Sequence, residues 1–255
     1  MDRARIPVTT RWLLLALGKM PPGKRQPFDP VATWILAARP DLGPAVPAPA
    51  VLATLRARAT LVDRMLDAEL DDARDAGEMI SLWTFGGGFD ARWHRLAATL
   101  RDAVVEQVEV ELPEVIAAKD ALLARSPFAK AWASIRRRAL PAEQWRVPAG
   151  EAGPGVRRLL LLEALAGRWD SDALWAQLDR LDDVPAGTRT IACLPGWAPD
   201  ERVQWAARRL LQRGWRVLED QRIAPRGRIV GYDGAEVCPA SYPFRVVRLE
   251  RVARA

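Results

Sequence analysis

The stretch Ser81-Leu-Trp-Thr-Phe-Gly-Gly-Gly-Phe-Asp-Ala-Arg92 decides the fold: an apolar strand runs into three glycines and then Asp90. Glycine lets backbone approach a ligand where any side chain would clash. About twenty residues on, where such folds place an acid, a second apolar strand ends in Glu109-Val-Glu-Leu-Pro113. An acidic side chain closing that strand can accept both hydroxyls of a ribose. The pair of features therefore reads as a nucleotide site in a Rossmann-like α/β domain.

Outward from this stretch, strands and helices alternate. Residues 79–85 and 104–110 read as strands, 91–100 and 113–124 as helices, the latter with Pro113 in its first turn. Residues 158–162 and 188–194 continue the strands. Helices are predicted over 172–181, begun by the cap-like Ser171, and over 200–213, closed by Gly214. This order implies a mostly parallel sheet with right-handed crossovers. The extended segments 215–223 and 244–252 have no helix between them, only a turn-rich stretch around Gly227, Gly231 and Gly234, so they should pair antiparallel. Residues 125–157 carry little pattern, and 144–147 are predicted as a short strand.

Upstream, Leu52, Leu55, Leu61, Val62, Met65, Leu66 and Leu70 fall at mixed three and four spacing, the buried face of a helix over 51–74 that Gly77 ends. Before it lie two shorter helical segments, 10–19 and 29–38, broken by prolines. The expected organisation is an N-terminal helical lid segment, 1–50, followed by a Rossmann-like domain, 51–255.

Composition narrows the function. The 49% hydrophobic and 27% charged residues are those of a globular chain. Two cysteines and one histidine are poor means of holding a transition metal, and free thiols in a reducing compartment are expected. The apolar run from Trp12 to Gly18 is far short of the roughly 20 residues that span a bilayer. A soluble, cytoplasmic protein without a membrane partner is expected. The net charge of +6 comes from 38 basic residues interleaved with 32 acids, a solvated arginine-rich surface, which argues against nucleic acid as partner. Arg136-Arg137-Arg138 is the one compact basic cluster. The oligomeric state is not legible.

The run Phe85-Gly-Gly-Gly-Phe-Asp-Ala-Arg-Trp-His-Arg-Leu96 resembles the first motif of the leucine carboxyl methyltransferase family, Leu-Gly-Ala-Gly-x-Asp-x-Arg-x-x-Arg-Leu. Gly86, Gly88, Asp90, Arg92, Arg95 and Leu96 match it. Glu109-Val-Glu-Leu-Pro-Glu-Val-Ile-Ala-Ala-Lys119 is similar to the family's Glu-Val-Asp-x-Pro followed by Lys. Arg58-Ala-Thr-Leu-Val-Asp63 looks like its Arg-Thr-Arg-x-x-Asp helix, and Gln26-Pro-Phe-Asp-Pro-Val-Ala32 like its Asp-Pro-x-Ala entry. Leu160-Leu-Leu-Glu-Ala-Leu165 can stand for its strand ending in Glu-Gly. The resemblance covers residues 26–170.

It implies a class I methyltransferase using S-adenosyl-L-methionine, from the branch that modifies polyketides and other secondary metabolites. Gly86, Gly87, Gly88 and Asp90 would form the cofactor turn. Arg58 would pair with the cofactor carboxylate, and Glu111, with Leu112 beside it, would hold the ribose. Glu163 would meet the cofactor ammonium next to the transfer site. The family's acid after the third strand has no counterpart in Trp145-Arg-Val-Pro-Ala-Gly150.

Arg92 and Arg95 are expected on the helix surface or in ion pairs, and His94, inside a helix, on the surface rather than as a base. Trp132, Trp145, Trp169, Trp175, Trp197 and Trp205 are expected mainly in the core, and Asp71-Asp72 and Asp182-Asp183 in solvent. A carboxylate acceptor is already ionised at neutral pH and needs no base. The expected reaction is therefore carboxyl O-methylation of a small-molecule carboxylic acid. The alternatives are hydroxyl O-methylation of a natural product, modification of protein carboxyl termini or tRNA, and a non-catalytic methyltransferase-like partner protein.

Overall fold

The computed structural model describes residues 13, 15–18, 29–42, 49–89, 91–95, 102–147, 152–163, 184–195, 212–223, 229–230, 236–238 and 244–252. The strands are β1 (Met79–Phe85), β2 (Val104–Glu111), β3 (Arg136–Ala139), β4 (Val156–Leu162), β5 (Arg189–Pro195), β6 (Trp215–Ile223), β7 (Ile229–Val230), β8 (Glu236–Cys238) and β9 (Phe244–Arg251). Seven of them form one sheet in the order β3-β2-β1-β4-β5-β9-β6, while β7 and β8 pair separately. Neighbours from β3 through β5 are parallel, and β9 runs antiparallel to both β5 and β6. The expected antiparallel pairing of the last two long strands is what the sheet shows.

Beta-1 is flanked by β2 on one side and β4 on the other. The strand order thus reverses between β1 and β4, and in open sheets ligands bind in the crevice beyond the carboxyl ends at such a switch point.

Side-chain alternation gives each sheet face its own core. Ile80, Leu82, Leu159, Leu161, Ile191, Cys193 and Val246 face α1 (Pro30–Ala38), α2 (Pro49–Asp75) and α4 (Pro113–Leu123), meeting Val31, Ile35, Val62, Met65, Leu66 and Leu122. Trp83, Phe85, Val108, Val110, Leu160, Leu162, Trp215 and Leu249 make the opposite core with Trp145 and Val147. Strands buried on both faces read as continuous apolar runs.

The helix ends have local causes. Asp29 accepts the backbone N–H groups of Val31 (2.9 Å) and Ala32 (3.0 Å), and Pro30 opens α1. After α2, Gly77 takes φ 68°, and the Glu78 N–H returns to the Ala73 carbonyl at 2.8 Å. Among the described residues no helix is long and apolar enough to cross a membrane.

Two expectations fail between residues 125 and 157. Residues 144–147 are not a strand: Ala142–Gln144 form a 3₁₀ turn, and Trp145 to Val147 carry no regular structure. The third strand is the basic cluster itself, Arg136–Ala139, running parallel to β2. Arg136 pairs with Glu106 at 2.6 Å and Arg137 with Asp120 at 3.2 Å, so these arginines already have counter-charges. The predicted helices over 172–181 and, up to residue 211, over 200–213 lie outside the described residues, as do Trp169, Trp175, Trp197, Trp205, Asp182 and Asp183.

At the amino end of the sheet Glu69, on α2, is fully buried among three arginines from three strands: Arg248 (3.3 Å), Arg157 (3.6 Å) and Arg189 (3.9 Å). Asp72, exposed as expected, also joins Arg248 at 3.2 Å, and Glu250 joins Arg189 at 3.3 Å. Burial pushes the Glu69 carboxyl up, against the pull of the guanidinium groups. Removing one partner of a buried pair strands the others at a cost of about 3–5 kcal/mol. Glu69→Ala should therefore lower the unfolding free energy obtained from urea titration by that order. A loss below about 1 kcal/mol would mean that the neighbouring acids suffice for the arginines.

Candidate active site at the carboxyl end of the sheet

The glycine turn leaves β1 under two constraints. Gly86 (φ 67°) and Gly88 (φ 58°) sit in left-handed backbone that side chains rarely adopt. Gly87 is closely covered, since a Cβ there would meet Thr84 Cγ2 at 3.0 Å. The turn is then stitched to β2: the Gly86 N–H donates to the Val110 carbonyl at 2.9 Å, and the Gly88 N–H to Glu111 Oε2 at 2.8 Å. The other carboxylate oxygen of Glu111 accepts the Leu112 N–H at 2.7 Å. Sequence reasoning placed Gly86, Gly87, Gly88, Glu111 and Leu112 in one site, and the structure joins Gly86, Gly88, Glu111 and Leu112 by hydrogen bonds to β2 and its end, with Gly87 between the two glycines.

Across the switch point, Glu163 follows the last residue of β4, and its N–H donates to the Phe85 carbonyl at 3.1 Å. Its side chain is 3% exposed. There it meets Arg92, the first residue of α3 (Arg92–Arg95). Arg92 Nη1 donates to Glu163 Oε1, Nη2 to Oε2 at 3.1 Å, and Nε to Asp63 Oδ1 at 2.7 Å on α2. The guanidinium is 5% exposed, so of the two expectations for Arg92 the ion pair holds and the surface does not. The turn is also anchored to the amino-terminal segment, because the Ala91 N–H donates to Asp29 Oδ2 at 3.2 Å.

A cavity of about 20 Å³ lies between these groups and the sheet, lined by Thr84, Gly87, Arg92, Gln107, Glu109 and Glu163 among others. That is room for one water molecule among polar partners. Glu109 of its wall belongs to a buried ion pair that sequence reasoning missed, accepting from Lys119 Nζ, whose ammonium stands 4.8 Å from the Trp132 ring centre. The spacing of ten residues from strand to helix hid it.

Of the remaining sequence-predicted residues, Asp90 lies outside the described residues. Arg58 is buried on α2, five residues before Asp63, with its Nε lacking any acceptor. Five residues of helix span about 7.5 Å. His94 is half-buried rather than on the surface: its ring packs edge-on to Phe128 at 4.5 Å and to Trp93 at 5.5 Å. With the third strand placed at Arg136–Ala139, an acid that sequence reasoning did not weigh follows it. Glu143 lies four residues beyond Ala139, in the turn that begins where the Leu140 N–H donates to the Glu111 carbonyl at 3.0 Å. Trp132 and Trp145 are core residues, as expected.

Burial pushes the Glu111 carboxyl up to about 7, although the Leu112 and Gly88 N–H groups and Lys119 pull it down and Glu109 pushes it further up. A group that ionises near 4.5 when unfolded and near 7 when folded keeps its proton longer in the native state. That preference is fully present below 4.5 and is lost as pH rises to 7, a swing on the order of 3 kcal/mol. Urea midpoints should therefore fall across this window. Glu111→Gln should flatten the fall, leaving a remainder from Glu69 and Asp67, which burial also raises. Parallel profiles for the two proteins would refute this assignment.

No protein-family model matches the chain, and no curated protein matches its sequence. Solved structures do. A protein from Pyrococcus horikoshii described as an RNA methyltransferase superposes with a TM-score of 0.50 at 11% identity, over 97% of this chain and 98% of its own. A DUF574 family protein from Streptomyces avermitilis MA-4680 gives 0.51 at 15% identity, over 95% and 97%. At such identities the likeness is one of fold. In fold, this chain is similar to the Rossmann-like methyltransferases.

Proposed function

We propose that the chain is an S-adenosyl-L-methionine-dependent methyltransferase that O-methylates a carboxylate of a small molecule, akin to the leucine carboxyl methyltransferases. The observation that carries this reading is the meeting of the Glu111-tethered glycine turn with Glu163 at the β1/β4 switch point.

The residues present fit the cofactor. An ionised carboxylate offers about four lone-pair sites; Glu111 has given one per oxygen to backbone N–H groups and, once it loses its proton near pH 7, retains acceptors for ribose hydroxyls. The buried guanidinium of Arg58, with its orphaned Nε, calls for an anion, and the cofactor carboxylate is one. Glu163 supplies negative charge for an ammonium. Glu143, in the 3₁₀ turn that follows β3, would add an acceptor for an exocyclic amine. When bound, the cofactor supplies an electrophilic methyl group on a sulfonium.

What the chain itself must do is hold acceptor and donor in line and keep water away. Residues 1–50 serve as the cover in this reading, supported by the bond from the Ala91 N–H to Asp29. A carboxylate acceptor arrives ionised. A hydroxyl acceptor would profit from a base, and the single histidine of the sequence is packed between Trp93 and Phe128. This favours the carboxylate over the alcohol.

Titration calorimetry with S-adenosylhomocysteine should give micromolar binding, and no heat at millimolar ligand would sink the reading. Labelled cofactor incubated with a panel of carboxylic acids should yield an alkali-labile methyl ester. A base-stable product alone would move the acceptor to a hydroxyl.

A further inference from the structure

Arg92 matters beyond the fold. Three elements far apart in sequence converge on it: Asp63 from α2, the start of α3, and Glu163 at the end of β4. Its fork has fixed geometry, with two parallel prongs on the two oxygens of Glu163 and Nε on Asp63. A buried ion pair is weak evidence of a stabilising role, because desolvation offsets most of the attraction. Here it also stands at the carboxyl end of the sheet, on the wall of the polar cavity and beside the glycine turn.

Resting on the reading above, we infer that Arg92 is a positioning residue: clamped by Asp63, it fixes the plane of the Glu163 carboxylate so that this group can receive the α-ammonium of the cofactor. The carboxylate keeps lone pairs beyond the two engaged by Arg92. Asp63 in turn supplies a negative charge against the guanidinium, so Glu163 is not the sole carboxylate answering that cation. Among the described residues Arg92 alone bonds the Glu163 side chain, so without the clamp its rotamers are free to wander.

The test compares two probes on the full chain by calorimetry. S-adenosylhomocysteine carries the α-ammonium; 5′-methylthioadenosine has the same thioether nucleoside without the amino-acid end. Arg92→Lys, which keeps the charge and loses the fork, should weaken the first about tenfold or more and leave the second unchanged. Asp63→Asn should do the same to a smaller degree, and it carries the comparison should Arg92→Lys not fold. Glu163→Gln should show the same selective loss, and adding Arg92→Lys to it should cost nothing further.

Equal losses for both probes, or none for either, would overturn the inference and leave Arg92 a structural clamp. Binding of 5′-methylthioadenosine but not of S-adenosylhomocysteine to the unaltered protein would overturn it too, while sparing the nucleoside site. If the unaltered protein binds neither, the functional reading fails and this inference with it.

Discussion

A carboxylate withdrawn from water must be met by donors, and the carboxyl end of this sheet is organised around three such carboxylates. Glu111 is met by backbone N–H groups, Glu163 by the guanidinium of Arg92, and Glu109 by the ammonium of Lys119. Each solution fixes something else. The first holds the glycine turn against β2, the second ties the start of α3 to the end of β4, and the third docks α4 on the sheet. The position of the turn is therefore a consequence of charge burial as much as of glycine's conformational freedom.

The opposite end of the sheet applies the same physics with another outcome. Around Glu69, cations and anions come from α2, β4, β5 and β9 and answer one another. Glycines flank this cluster too, at Gly153, Gly155 and Gly187, but the parallel strands β4 and β5 begin there rather than end. Ligand crevices in open α/β sheets form beyond the carboxyl ends, where helices and loops diverge. Two buried charge clusters in one domain thus differ in meaning: one joins a helix to a sheet, while the other borders a cavity.

Much of this was legible in the sequence, and the failures have physical reasons. Strands β1, β2, β4, β5, β6 and β9 fall within about two residues of expectation, inside the usual uncertainty of element boundaries; burial on both faces writes the apolar runs of β1 and β4, while β6 and β9 were read as extended segments between turns. The third strand was missed since it is a four-residue edge of arginines, paired on one side only, whose conformation comes from its ladder with β2. That error also hid Glu143. Within the site, the glycine turn, Glu111 and Glu163 were readable as residues at strand ends. The role of Arg92 was not, because its partners are 29 and 71 residues away and no local pattern reports such a meeting.

The sheet order has a consequence for how the molecule is made. Strand β9 is threaded between β5 and β6, although β6 precedes it in the chain. As the polypeptide emerges from a ribosome, β5 must wait with an unpaired rim until residues 244–251 arrive, and β6 has no place on the sheet before then. Exposed strand rims recruit other chains. Assembly of this half of the sheet is therefore delayed, and the nascent protein is most vulnerable to aggregation in the interval before its final strand slots in.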